Sequence, residues 1–468
     1  MINFGTSGFR AVIGEEFTKE NVQKIAQALS KMIKKDKLTT PVVIGYDKRF
    51  MSDYYAKEFA EVLAGNKIKT LLYSKSVTTP QVAYTIKDLE LDYGIIITAS
   101  HNPYIYNGIK LFVKGGKDAP IEVTNEVEKY ANAKAKIRTL DYETATKNEL
   151  IVPIDNLKEY IKNLDKFVSK NLKGSKIKIL YNAMHGATPE CTKAFAKHFK
   201  LAKFDIINDE EDAYFGHVAP CPNEASLEQF KKQVVKGRYA VGFACDVDGD
   251  RLGIIDDQGN YVDNNIIMGI IYYYLIKIRG LKGDVVKNYS TTILLDKLSE
   301  KFGFKTHETF VGFKHTARVM KETDALLGGE SSGGLTVRNY TPFKDGLFSI
   351  SQIVDVLAYF KKPLSEVIKE VKSFAEYYHT YYESTLKLKD RNKFLKLLMK
   401  KSPAFSYKPV NKIVNDGMKY VFEDGSWVNI RLSGTENIAR YHVEFPTEIE
   451  CERNIKAIKK FVDDFNKK

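Results

Sequence analysis

The sequence predicts an α/β protein: three consecutive α/β domains of mixed sheets flanked by helices, then a smaller C-terminal α+β domain. Three observations predict it. At 468 residues with 44% hydrophobic composition the chain can bury several cores. Strand-like and amphipathic helix-like stretches alternate through three successive rounds. After Lys362 that grain changes to "PLSEVIKEVKSF", the strand-like "YYHTYYESTLKL" and a closing strand-and-helix pattern ending "ECERNIKAIKKFVDDF".

In the first round, "TKENVQKIAQALSKMIKKD" reads as an amphipathic helix starting at Thr18 and "PVVIGYD" as a strand. "SDYYAKEFAEVLAGN" is a helix with Ser52 as N-cap and Gly65 as its stop, and "IKTLLY" is a strand. The second round follows a polar stretch around Arg138 to Asn148. It runs through "KIKILYNAMHG", "TPECTKAFAKHF", "KFDIIND", a helix near Ser226 to Lys236 and the strand "YAVGFACD". A helix near Asn264, then "DVVKNYS", "TTILLDKLSEKFG", "THETFVG" and "ALLGGESSGG", make the third. The expected domains are residues 1–145, 146–258, 259–372 and 373–468.

Composition excludes several classes. The longest apolar run, Ile266 to Ile276, is short of the roughly 20 residues of a membrane span and predicts a buried helix. Cys191, Cys221, Cys245 and Cys451 form no CxxC pair, which argues against a zinc site or a disulfide framework. With no secretory pattern in "MINFGTSGFR", a cytoplasmic protein with reduced thiols is expected. The formal charge of +13 comes from scattered lysines, so it predicts a solvated surface with a mild attraction for anions, with no nucleic-acid or membrane partner.

Chemistry concentrates in four loops. In "GIIITASHNPYIYNGIKLF" an apolar strand ends at a small-polar cluster that holds Ser100, outside any Gly-x-Ser-x-Gly or Ser-x-x-Lys setting. In "CDVDGDR", Asp246, Asp248 and Asp250 crowd one turn, and mutual repulsion makes that costly unless a cation neutralises them. An all-oxygen set favours Mg²⁺ or Mn²⁺ over zinc. An EF-hand, which shares the alternating aspartates, requires Gly and Glu where this loop has Arg251 and Asp257. "GGESSGG" pairs glycines that permit close approach with Glu330 and Ser332, suited to sugar hydroxyls. "RLSGTEN" sets the Arg431 guanidinium beside two hydroxyls and glycine-freed backbone amides, suited to a phosphate dianion.

These four loops, in this order and with "GTSGFR", "NGIK", "MHGA" and "VGFK" accompanying them, resemble the α-D-phosphohexomutase superfamily of phosphoglucomutases and phosphomannomutases. The resemblance implies four domains around a central cleft. It implies Ser100 as the phosphoryl carrier, with Ser100, Asp246, Asp248 and Asp250 at Mg²⁺. Arg10 and Arg251 would lie beside the transferring phosphate, and Lys110 would be the acid/base partner with His101 close by. Gly312, Lys314, Glu330 and Ser332 would contact the sugar; Arg431, Ser433, Gly434 and Thr435 would hold the distal phosphate. Leu432 and Asn437 stand where the family commonly has proline. The expected reaction interconverts hexose 1- and 6-phosphates through a phosphoserine enzyme and a hexose 1,6-bisphosphate, which also serves as activator. The protein is expected as a monomer or homodimer. Glucose is the expected sugar, with mannose as an additional one, because "VGFK" and "GGESSGG" look less like the glucosamine type; phosphomannomutase and phosphoglucosamine mutase are the alternatives. A metal-dependent phosphatase is the reading from another class, and it leaves "TASHNP" and "RLSGTEN" idle.

Overall fold

The computed structural model describes residues 1–5, 8–414, 417–433 and 436–467. The chain forms two compact units, Met1–Asn264 with Ser332–Val367, and Asn265–Ser331 with Ile368–Lys468. In the first unit, β1 (Phe9–Val12), β2 (Val42–Tyr46), β3 (Thr70–Tyr73), β4 (Tyr93–Ile97), β5 (Tyr106–Val113), β6 (Lys117–Asp118) and β7 (Ile151–Ile154) build one sheet. Its order is β1-β5-β4-β2-β3-β7, with β6 on β5. Strands β4, β2, β3 and β7 run parallel, whereas β5 runs antiparallel to β4 and β1. Every residue of β4 is buried, which is why its sequence is continuously apolar rather than alternating.

Helix Lys19–Lys35 starts where the sequence predicts it, with Thr18 Oγ1 accepting from the Asn21 amide at 3.3 Å. Helix Ser52–Gly65 departs from expectation at its start. Met51, at φ +61°, holds the cap position, and Ser52 Oγ instead donates to Asp47 Oδ1 at 2.8 Å. A buried carboxylate at the end of β2 is a stronger acceptor partner for that hydroxyl than solvent-accessible helix amides are as donors.

The second sheet of this unit comprises β8 (Lys178–Asn182), β9 (Lys203–Ile207), β10 (Val241–Cys245) and β11 (Leu252–Asp256), in the order β11-β10-β8-β9. The first three of these strands in sequence are parallel, and β11 returns antiparallel to β10. Helix Asn264–Tyr273, with which the chain passes into the second unit, is buried almost throughout, as its apolar run predicts.

In the second unit, β12 (Val285–Asn288), β13 (Thr306–Thr309) and β14 (Leu327–Gly329) pair in parallel with β12 central. The chain then re-enters the first unit with β15 (Leu335–Val337) and helix Gly346–Phe360, whose N-cap Asp345 accepts from the Phe348 amide at 2.9 Å. The C-terminal part of the second unit is an antiparallel sheet of β16 (Thr380–Lys387), β17 (Asn411–Val414), β18 (Gly417–Val421), β19 (Trp427–Leu432) and β20 (Ile438–Phe445), ordered β16-β20-β19-β18-β17. Helices Arg391–Lys400 and Glu448–Asn466 cover it through Phe394, Leu398, Ile458 and Val462. Among the described residues no helix is long and apolar enough to cross a membrane.

Candidate active site

Two strand–loop–strand turns of the first unit meet. The loop leaving β4 carries Ser100 and returns as β5; the loop leaving β10 carries the three aspartates and returns as β11. Ser100 is 1% exposed, and its Oγ donates to Asp246 Oδ2 at 2.7 Å, with His101 Nδ1 at 3.3 Å on its other side. Its φ of +53° is unusual for a residue with a side chain, and the amide is held by Thr98 Oγ1 at 2.9 Å.

The aspartates are withdrawn from solvent, and one oxygen from each lies within 4.8 Å of the others. Lys110, projecting from β5, donates to Asp248 Oδ2 at 2.5 Å and Asp250 Oδ2 at 2.7 Å; Thr79 Oγ1 donates to Asp248 Oδ2 at 2.6 Å. Asp248 Oδ1 and Asp250 Oδ1 are buried without a hydrogen bond. An orphaned buried carboxylate oxygen is costly, by about 1–3 kcal/mol or more. Three convergent carboxylates, with Asp248 Oδ1 buried and without a hydrogen bond, fit a small, hard divalent cation. Gly249, at φ +73°, allows the turn: a Cβ there would meet Thr188 Cγ2 at 2.9 Å and Thr78 Cγ2 at 3.0 Å. Backbone bonds clamp the loop from both sides, Thr79 N donating to Asp248 O at 2.8 Å and Gly346 N to Gly249 O at 3.0 Å.

The electrostatics follow from this crowding. Burial and the neighbouring Asp248 and Asp250 push Asp246 well up. Burial would also raise Asp250, but Lys110, Lys344 and Arg251 hold it below the usual carboxylate range. Burial would lower Lys110, yet Asp248 and Asp250 raise it above an ordinary lysine. His101 is pushed down to about 3 by burial, then by Arg251 and Arg10, so its ring is neutral at physiological pH. Arg10 Nη1 donates to Asn102 Oδ1 at 2.8 Å, and the Arg251 amide donates to Asp246 Oδ1 at 3.0 Å. The structure thus gathers Ser100, His101, Lys110, Arg10, Arg251 and the three aspartates.

The other predicted residues are arranged within their own surroundings. In the second unit Glu330 Oε1 accepts from the Gly312 amide at 2.6 Å and from Asn288 Nδ2 at 3.1 Å. Lys314 is exposed in the first turn of helix Phe313–Thr323, and Ser332 is exposed. Arg431 on β19 stands directly opposite Arg440 on β20, and Arg391 Nη1 donates to Ser433 O at 2.8 Å. Like charges directly opposite one another on a sheet repel. Gly434 and Thr435 lie outside the described residues.

Sequence reasoning missed Lys344, whose Nζ is 3.5 Å from Asp250 Oδ1, the pair Arg391 and Arg440, and Arg49, whose guanidinium reaches four carbonyls of the Ser100 loop. Only Arg440 had a readable signal, its place on the strand that follows the "RLSGTEN" turn.

Comparison with known proteins matches this chain to four family models in order. They are phosphoglucomutase/phosphomannomutase α/β/α domain I at residues 1–138, domain II at 158–259, domain III at 263–374 and the C-terminal domain at 383–460. A phosphoglucosamine mutase of Campylobacter curvus is 27% identical over 98% of both chains. A phosphoglucomutase/phosphomannomutase of Thermococcus kodakarensis is 28% identical over 95% of both. A crystal structure from Thermus thermophilus, assigned as a phosphomannomutase, superposes with a TM-score of 0.86 over 99% of both chains at 27% identity.

Proposed function

Because this chain belongs to the α-D-phosphohexomutase superfamily, whose members are intramolecular phosphotransferases, we propose that it interconverts the 1- and 6-phosphates of a hexose by way of a phosphorylated Ser100. The observation that carries the reading is Ser100 Oγ at 2.7 Å from Asp246, within a buried all-oxygen triad flanked by Arg10, Arg251 and Lys110. A serine hydroxyl in such a place suits phosphoryl transfer, where catalysis consists of positioning and charge neutralisation. Asp246, Asp248 and Asp250 would hold Mg²⁺, which when bound supplies charge stabilisation for the transferring phosphoryl group.

In the first half-reaction a bond forms between a sugar hydroxyl oxygen and phosphorus, the Ser100 Oγ–phosphorus bond breaks, and the sugar proton passes by way of a base to Ser100 Oγ; in the second, the Ser100 Oγ–phosphorus bond re-forms, the bond from that phosphorus to the sugar's other oxygen breaks, and the proton returns to that oxygen. Arg10 and Arg251 would bind the transferring group as charge-assisted donors. Lys110, held by two carboxylates, serves first as their counter-charge, and an acid/base role would require it to leave one of them. Glu330, Gly312, Lys314 and Ser332 would take the sugar, and Arg431 and Ser433, with Arg440 opposite, the second phosphate.

For the sugar, the phosphoglucosamine mutase relative aligned over 98% of both chains favours glucosamine phosphate over the glucose expected from the loops. Glucose or mannose phosphate is the second reading, favoured by the phosphoglucomutase/phosphomannomutase relative. The test is turnover of glucosamine, glucose and mannose 1-phosphates side by side with Mg²⁺ and a trace of the matching bisphosphate. The highest kcat/KM is expected with glucosamine 1-phosphate; a tenfold or larger preference for glucose, about 1.4 kcal/mol, would reverse the assignment. Inorganic phosphate release from all three without isomerisation would make the protein a phosphatase.

A further inference from the structure

Arg49 follows β2 in the segment "YDKR" and is 3% exposed. Its guanidinium is committed to the backbone of the loop that carries Ser100. Nη2 donates to Ser100 O at 2.6 Å and Asn102 O at 2.5 Å; Nη1 donates to Pro103 O and Tyr106 O, each at 3.0 Å. Its Nε faces Asp47 Oδ2 at 3.6 Å, and the Arg49 amide donates to Asp47 Oδ1 at 2.9 Å. Ser52 Oγ, which donates to the same Oδ1, accepts from Asn107 Nδ2 at 3.0 Å at the far end of the loop. The guanidinium carbon also lies 5.0 Å from the centroid of the Phe215 ring.

The loop needs such support. Ser100 sits in the left-handed region, which a non-glycine residue keeps only when its surroundings over-determine it. The four carbonyls turn toward one point, where buried acceptors without donors would destabilise the turn. A planar guanidinium answers four acceptors from one rigid fork, whereas an ammonium has three donors on a flexible stem.

We propose that Arg49 is a positioning residue that holds the loop in the conformation aiming Ser100 Oγ at Asp246, acting through the backbone carbonyls of that loop. This rests on reading Ser100 as the phosphoryl carrier. The test compares the parent with Arg49→Lys, which keeps a cation beside Asp47, and with Asp47→Asn, which removes the anchor of Arg49. Ser100 phosphorylation by glucosamine 1,6-bisphosphate and by glucose 1,6-bisphosphate is followed by intact-protein mass spectrometry, loop opening by amide hydrogen exchange of peptides, and KM for the sugar phosphate from steady-state rates.

In Arg49→Lys, phosphorylation should slow by about a hundredfold, the scale of a misplaced reacting group, with KM within about threefold of the parent. Exchange should quicken over residues 98–106 while β2 and β4 keep parental protection. A folded Arg49→Lys that is phosphorylated within about threefold of the parental rate, or exchange that rises evenly across the first sheet, overturns the proposal. Should Arg49→Lys fail to fold, Asp47→Asn carries the same expectations and the same refutation. If the parent itself takes up no phosphoryl group from either bisphosphate while loop exchange still responds locally, the reading of Ser100 falls and the positioning role stands.

Discussion

Asp248 ties the aspartate loop to both Lys110 and Thr79. One of its oxygens accepts from Lys110 and Thr79, the other has no hydrogen bond, and its backbone carbonyl accepts from the Thr79 amide. Asp248→Asn keeps the shape and removes the charge, so it should weaken Mn²⁺ binding measured by titration calorimetry. It should also lower turnover roughly a hundredfold or more, since a bound ion stabilises transition-state charge by several kcal/mol. Parental Mn²⁺ affinity in this variant would show that the triad is not the cation site. Ser100 and the aspartates were legible in the sequence because crowded carboxylates and a hydroxyl at a strand end have few uses apart from chemistry. Arg49 was not, because an arginine's worth here lies in carbonyls 51 to 57 residues away, and carbonyls leave no mark in a sequence.

At the scale of the element, the loops of Ser100 and of the aspartates each join a strand that is parallel to one neighbour to a return strand that is antiparallel to it: β4 to β5 and β10 to β11. The alternation of apolar and amphipathic stretches revealed the strands and helices well, whereas the cap of helix Ser52–Gly65 was misread because a tertiary acceptor, Asp47, captured the serine. The aspartate turn depends on Gly249, with positive φ and threonine methyls from two sides. Gly249→Ala combines backbone strain with overpacking and should cost about 1–3 kcal/mol of stability, read as a lower thermal midpoint, together with weaker Mn²⁺ binding. A variant that melts and binds metal like the parent would mean that the turn tolerates a side chain and that its geometry is less exacting than described.

At the scale of the whole molecule, one carboxylate joins parts of the second unit that are distant in sequence. Glu444 accepts from Thr292 Oγ1 at 2.5 Å, Ile293 N at 2.9 Å, Tyr377 OH at 2.6 Å and Trp427 Nε1 at 2.5 Å. Glu444→Ala removes the acceptor shared by these four donors, Thr292 Oγ1 keeping Tyr377 OH at 3.3 Å, and should destabilise by roughly 3–5 kcal/mol. Calorimetry should then resolve a separate, earlier transition for the C-terminal sheet. Trp427, the chain's one tryptophan, would report the same event as a red-shifted emission; a single transition at the parental temperature would refute the coupling. That carboxylate network also has a consequence during synthesis. Residues 265–331 and 368–468 make one unit, although 332–367, which belong to the other, emerge between them. Thr292 leaves the ribosome 152 residues before Glu444, an interval of roughly 8–30 s at typical translation rates of about 5–20 residues per second. For that time the β12–β14 segment is a nascent chain awaiting its partner, and this is the stretch of the chain on which a chaperone would act.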